Sequence, residues 1–370
     1  MKCNIICNFA PGKNQIKMTA PDKSALASLV EMISNAESIS ITSHIRPDGD
    51  AVGSTVAMLH FLLRQGKDAR IILPHQTPRT VGFLLESVPQ GRMIIHEDSP
   101  EEALSAIRHS DLLISLDYND FRRTEALAET LESSGAEKIL IDHHLDPDRS
   151  KFSLVFSETE TSSTCELLFH ILKEMPQTGG NAANLPQETA TALMTGMTTD
   201  TNNFANSVYP GTLQMASELL AAGVDRDSIL DHLYRSDREQ RLRLKGELLH
   251  RNLTITPYGV AYMILDKQTI CRYGVQEGET EGFVNEPLSI NDVRMSIFLK
   301  EDAGKFRVSI RSKKGVSANL CARLHFNGGG HELASGGSLP VPGAVKDARD
   351  AARYIEEVTH LFINEENEIQ

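Results

Sequence analysis

Between residues 38 and 144 the chain alternates short apolar runs with longer stretches of helical spacing, and this alternation restricts the fold more than any other feature. SISITSH (38–44), DARIILPH (68–75), LLISLDY (112–118) and KILIDHH (138–144) are rich in aliphatic and β-branched residues. Between them, AVGSTVAMLHFLLRQG (51–66, closed by Gly66), EEALSAIRH (101–109) and RTEALAETLESSG (123–135) read as helices. Strands without a polar face cannot meet water on either side, so the pattern predicts an α/β fold, a parallel sheet with helices on both faces. CELLFHILKEM (165–175) and QETATALMTGMTTDT (187–201) extend the helical count.

The style changes after about residue 225. SILDHLYRSDREQRLRLKGELLHRNL (228–253) is charged and reads as a bridging helix; GVAYMIL, VRMSIFL and KFRVSIR then alternate like strands, the last two joined by a KEDAG turn. The expected organisation is an N-terminal tail (1–20), a larger domain (21–225), a helical linker (226–252), a smaller α+β domain (253–345) and a C-terminal helix and tail (346–370). A length of 370 residues suits two domains. The formal charge of −13, from 37 basic and 50 acidic residues, argues against a broad grip on duplex DNA or an anionic membrane. No apolar run approaches the roughly 18–20 residues of a membrane span. Five scattered cysteines without a C-x-x-C pair fit a reducing compartment, and the cytoplasm is the expected location.

Acidic and histidine residues fall where strands end. His44, Asp48 and Asp50 follow the first strand, Asp117 the third, and Asp142-His143-His144 the fourth; Asp200 closes a helix. In an open α/β sheet, ligands bind outside the carboxyl ends of the strands. Mixed carboxylate and imidazole donors suit Mn²⁺, Fe²⁺, Co²⁺ or Zn²⁺. His44, Asp48, Asp50, Asp117, His143 and Asp200 are too many donors for one open catalytic ion and suit two ions sharing a carboxylate, a phosphoester-hydrolysing device. The bland alternative for one of them, Asp50, is a helix N-cap.

These residues resemble the DHH phosphoesterase superfamily. His44-Ile45-Arg46-Pro47-Asp48-Gly49-Asp50-Ala51-Val52-Gly53 matches its first motif, Asp117 its second, Asp142-His143-His144 its third and Asp200 its fourth. ETSSTCELL (160–168) is similar to the S-S-T-x-E-L-L helix start of the family, and FNGGGHELASGG (326–337) to the G-G-G-H signature of its DHH-associated C-terminal domain. Asn327 and Ala334-Ser335-Gly336 depart from that signature. The resemblance implies two divalent ions, with Mn²⁺ expected, and an active site in the interdomain cleft. His44, Asp48 and Asp117 would hold one ion, and Asp50, Asp117, His143 and Asp200 the other. His144 would face the scissile phosphate or assist the leaving group, Asp142 would orient a histidine, and Ser162-Ser163-Thr164 would support the site or act as a plain N-cap.

Substrate residues implied by the resemblance are Arg311 and Ser312, a loop of Gly328, Gly329 and Gly330 whose N–H groups can approach a phosphate, and His331; Arg122 and Arg123 are further phosphate candidates. From Arg294 to Arg323 eight basic residues stand against two acidic ones. One DHH domain with one DHH-associated domain resembles the bifunctional oligoribonuclease and pAp phosphatase (nanoRNase) proteins. With no Trp and 5% aromatics, the chain lacks the stacking platforms of long-strand binders, so a short RNA or nucleotide is the expected substrate. Alternatives are a cyclic di-AMP or pApA phosphodiesterase and, in another class, a non-catalytic nucleotide-binding regulator. A homodimer is left open as the assembly.

Overall fold

The computed structural model describes residues 21–369, with side chains through 363; the tail expected at 1–20, with Cys3 and Cys7, lies outside the described residues. The larger part of the chain holds α1 (Lys23–Asn35), β1 (Ser38–Thr42), α2 (Gly49–Leu63), β2 (Asp68–Leu73), β3 (Met93–Ile95), α3 (Pro100–Arg108), β4 (Leu112–Leu116), α4 (Ala128–Ser133), β5 (Glu137–Asp142), β6 (Leu154–Ser157), α5 (Thr164–Glu174), α6 (Gln187–Asp200) and α7 (Pro210–Ala221). Its six strands are all parallel, in the order β3-β2-β1-β4-β5-β6. The chain winds outward from β1 to β3, then returns beside β1 as β4 and winds the other way. The order therefore reverses between β1 and β4, where doubly wound sheets open their ligand crevice.

Every residue of β4 is buried, the physical origin of its unbroken apolar run. On one face, Ile72 and Leu113 pack with Ala103 and Ile107 of α3 and Leu131 of α4. Helix α2 packs on β1, β2 and β4, and α5 on β5, so helices cover both faces as expected. Strands β3 and β6, of three and four residues at the sheet edges, escaped the sequence reading because they are too short to show a period.

The remaining elements are α8 (Arg226–Tyr234), α9 (Glu239–Glu247), β7 (Thr254–Ile255), β8 (Val260–Leu265), α10 (Lys267–Tyr273), β9 (Met295–Asp302), β10 (Lys305–Ser312), α11 (Ala318–His325), β11 (Gly329–Gly330), β12 (Ala334–Pro340) and α12 (Ala348–Ile369). The single bridging helix expected at 228–253 is two helices followed by a π-helical turn, Leu248–Asn252. Ser236 ends α8 by donating to the carbonyl of His232 (2.5 Å), and Asp237 takes Arg241 from the first turn of α9. The second sheet is mixed, in the order β11-β12-β10-β9-β8-β7, with β8 and β9 parallel and the other pairs antiparallel. The expected hairpin joins β9 and β10, Asp302 opposite Lys305, with Gly304 at φ +78° in its turn. Its core gathers Met295, Ile297, Phe306, Ile310 and Leu339 with Ala351 and Ile355 of α12.

The chain forms two compact units. One is built mainly from residues before Arg226; the other runs from Arg226 onward and includes Gln76–Ser87 and His144–Asp146. No described helix is long and apolar enough to cross a membrane.

Candidate active site

The first unit's acids and histidines gather at the carboxyl rim of its sheet. His44 lies two residues beyond β1, with its Nδ1 2.8 Å from the carbonyl of Ile45. A carbonyl only accepts, so Nδ1 carries the hydrogen; Nε2 then bonds Asp117 when the ring is protonated and presents a lone pair when it is neutral. That Nε2 stands 3.4 Å from Asp117 Oδ2 and 3.9 Å from Asp48 Oδ1. Asp48, not Asp50, is the N-cap of α2: its Oδ1 accepts the N–H groups of Asp50 and Ala51, each at 3.1 Å. Asp50 follows inside the first turn and is buried.

Asp117 sits one residue past β4 with φ +65°, in the left-handed region that Asp tolerates better than most side chains. Its two carboxylate oxygens face different neighbours. Oδ2 is toward His44, while Oδ1 lies 3.7 Å from His143 Nε2 and accepts the hydroxyl of Thr164 at 3.0 Å. His143, one residue past β5, is also 3.9 Å from Asp50 Oδ2 and 3.6 Å from Asp200 Oδ2. Asp200 is the last residue of α6 and is partly exposed. His44–Asp48–Asp117 and Asp50–His143–Asp200 are each among the groups of described residues able to hold a cation. Asp142, the last residue of β5, is fully buried, and His144 follows His143 in the chain.

What the side-chain pattern could not reveal is the part played by main-chain groups at the start of α5. Ser163 caps that helix, accepting from Glu166 N at 2.9 Å. The next two N–H groups, of Thr164 and Cys165, donate to Asp50 at 2.6 and 2.9 Å. The positive end of α5 thus holds one acid through its backbone and the other through the Thr164 hydroxyl. Both alternatives weighed for the Ser-Ser-Thr segment hold at once, cap and support. Glycines set the depth of the site: a Cβ on Gly53 would come within 2.7 Å of the Ala192 carbonyl, and one on Gly196 within 2.3 Å of Cys165 Sγ and 3.0 Å of Asp50 Oδ1. Only without side chains there can α2 and α6 close on each other around Asp50.

Burial, with the charge of Asp117 adding to it, pushes the Asp50 carboxyl up to about 7. Burial opposes a charge on His44, yet the bond to Asp117 and the charge of Asp48 raise its pKa above the ordinary histidine value, with the Arg123 guanidinium opposing them. Two buried carboxylates beside a histidine lone pair form an arrangement that is costly until positive charge enters. A proton can supply it, and so can a divalent cation. An imidazole anchored to a carbonyl through its far nitrogen is also how metal-binding histidines are oriented. The donor set therefore fits a metal.

Arg123 belongs to this rim, its carbonyl accepting Ile45 N–H at 2.8 Å. Arg122 is engaged elsewhere, in a double contact with Asp120 (3.0 and 2.8 Å).

In the second unit, Arg311 is the penultimate residue of β10, and its Nη1 donates to the Ile310 carbonyl at 2.9 Å. Ser312 does not fit the substrate role expected of it: it is buried, and its hydroxyl closes a turn on the Val316 carbonyl at 2.6 Å. The glycine run also has a packing origin. A Cβ on Gly328 would lie 1.9 Å from the Gly336 carbonyl, and one on Gly330 (φ +146°) 2.8 Å from that of Ala334, because β11 presses on β12; of the three, only Gly329 has room, a Cβ there meeting Arg323 Cγ at an ordinary 3.9 Å. His331, half-buried, exchanges main-chain bonds with Ala334 at 2.8 and 3.2 Å, closing the turn between those strands. The basic excess counted along the sequence is smaller in space. Glu277, outside the counted window, takes Arg307 at 2.8 Å and Lys300 at 3.4 Å, and Lys313 is spent on the Ile290 carbonyl at 2.8 Å.

Residues 38–197 match the DHH family N-terminal domain, and residues 257–357 match the DHHA1 domain. A solved structure described as an exopolyphosphatase-related protein from Bacteroides fragilis shares 32% identity at a TM-score of 0.84, with 93% of this chain and 98% of that one covered. The bifunctional oligoribonuclease and PAP phosphatase NrnA of Bacillus subtilis is 27% identical over 84% of this chain and 92% of its own length. The cyclic-di-AMP phosphodiesterase GdpP of the same organism is 24% identical over 82% of this chain, but over only 45% of its own length. With both domain matches and a 32%-identical relative covered almost end to end, the chain belongs to the DHH family and is a phosphoesterase, a hydrolase, with a DHHA1 domain following its DHH domain.

Proposed function

We propose that the chain is a Mn²⁺-dependent phosphohydrolase that degrades short oligoribonucleotides to mononucleotides and removes a phosphate from 3′-phosphoadenosine 5′-phosphate. The observation that carries this reading is the division of labour within Asp117, one carboxylate oxygen toward His44 and the other toward His143. A carboxylate so placed suits a bridge, with His44 and Asp48 on one side and Asp50, His143 and Asp200 on the other. Bound there, a pair of divalent cations supplies activation of water at neutral pH and neutralises charge on the phosphoryl oxygens. The chain's own residues do the rest. The start of α5 keeps Asp50 and Asp117 aimed at the rim, His144 hands a proton to the leaving oxygen, and Asp142 fixes the tautomer of its histidine neighbour. Arg123, Arg311, His331 and the Gly329 main chain hold phosphates.

The NrnA relative supports this substrate class. The GdpP relative supports a second reading, hydrolysis of cyclic di-AMP or pApA. Asp117→Ala and His143→Ala should each abolish Mn²⁺-stimulated hydrolysis of pAp and short RNA while the circular dichroism spectrum stays native; residual stimulated activity in either would sink the two-ion reading. A panel of pAp, pApA, short RNA, cyclic di-AMP and pyrophosphate under Mn²⁺ separates the substrates. Binding of all of them without turnover would make the chain a regulator instead.

A further inference from the structure

The buried carboxylate of Glu166 has no role in the chemistry above. Its Oε2 accepts the main-chain N–H of Ser162 at 2.9 Å, the Ser162 hydroxyl at 2.5 Å and the Thr212 hydroxyl at 2.6 Å. Its Oε1 lies 3.7 Å from His170 Nε2. Glu166 is 1% exposed, and a carboxylate buried to that degree needs such a set of partners. Burial alone would raise its pKa, but His170, Ser162 and Thr212 together hold it below the usual glutamate value.

The partners belong to two segments, and each leads to candidate metal ligands. Ser162 lies just ahead of α5, two residues before the Thr164 that holds Asp50 and Asp117. Thr212 lies in the first turn of α7, at the far end of the connection that leaves Asp200, and it also accepts the N–H of Tyr209 at 3.0 Å. That connection is costly to hold, since Asn202, Asn203, Phe204 and Ser207 all have positive φ. Gly211 permits the anchor: a Cβ there would come within 2.7 Å of Glu166 Oε1 and 3.3 Å of His170 Nε2.

We infer that Glu166 is a positioning residue of the metal site, a single buried carboxylate that ties the segment presenting Asp50 and Asp117 to the segment following Asp200 and so sets metal affinity without touching the metal. The inference rests on the metal reading proposed above. Glu166→Gln keeps the shape but sets an NH₂ among donors that need an acceptor. In the metal-stripped full-length variant, Mn²⁺ binding followed by the electron paramagnetic resonance of free Mn²⁺ should weaken about 10–100-fold. Turnover should fall at limiting Mn²⁺ and recover with excess Mn²⁺, leaving KM for the nucleotide unchanged. Thr212→Val should shift Mn²⁺ affinity in the same direction by less. Wild-type Mn²⁺ affinity in the Gln variant would overturn the inference, as would lost activity that excess Mn²⁺ fails to restore. Should Glu166→Gln not fold, an unchanged Mn²⁺ affinity in Thr212→Val overturns it. Absence of Mn²⁺ binding by the wild-type chain is a different failure, that of the metal reading itself.

Discussion

The Asp50 carboxyl gains a proton readily because burial and the neighbouring Asp117 both disfavour its charge, whereas in the unfolded chain it titrates near 3.8. Between that value and about 7 the folded metal-free protein binds more protons than the unfolded one, so its stability falls as pH rises across the window and levels above it. His44, whose pKa is also raised, contributes stability present at low pH and lost as pH climbs through its folded value, so the two groups act in the same sense. Melting temperatures taken in chelator from pH 4 to about 7 should therefore decline. Asp50→Asn should flatten the decline without abolishing the His44 part, and an unflattened profile would show that Asp50 is not its source. Because a bound cation displaces the same proton, apparent Mn²⁺ affinity should weaken as pH drops below about 7.

At the scale of elements, the fit of α2 against α6 sets the site, and Gly53 tests it directly. Gly53→Ala places a methyl 2.7 Å from a backbone carbonyl that cannot swing away. We expect a loss of about 1–3 kcal/mol in urea unfolding, with weaker Mn²⁺ binding because Asp50 lies one turn earlier on the same helix. A neutral substitution would mean that the helices do not need this approach. The strands that carry His44, Asp117 and Asp142 were legible in the sequence because each is a short buried run rich in aliphatic or β-branched residues that ends abruptly in an acid or a histidine. The cradle at α5 was only partly legible. Its Ser-Ser-Thr start signals a cap, but the N–H groups of Thr164 and Cys165 leave no mark in side-chain chemistry, and their partner Asp50 is more than a hundred residues distant in sequence. Likewise, the break between α8 and α9 hangs on hydrogen bonds of Ser236 and Asp237 inside an otherwise helical charge pattern. The glycines at 328 and 330 read as a phosphate loop, since sequence does not say which strand they will press against.

The whole molecule combines a strongly acidic chain with a second unit whose cations are largely engaged internally. Glu277 and the Ile290 carbonyl account for Lys300, Arg307 and Lys313. Few charges are left to grip a phosphate backbone, so a short substrate should bind with a shallow salt dependence, about 0.7 log units of KM per log unit of salt for each phosphate held. Steady-state assays across a potassium chloride series would measure it, and a slope matching many phosphates would argue for a long strand instead. The rim of the first sheet has a consequence for how the protein is made. All six candidate ligands, from His44 to Asp200, come from the first 200 of the 370 residues, which leave the ribosome ahead of the DHHA1 domain. A nascent chain can thus complete its candidate metal donors while the DHHA1 domain is still being translated.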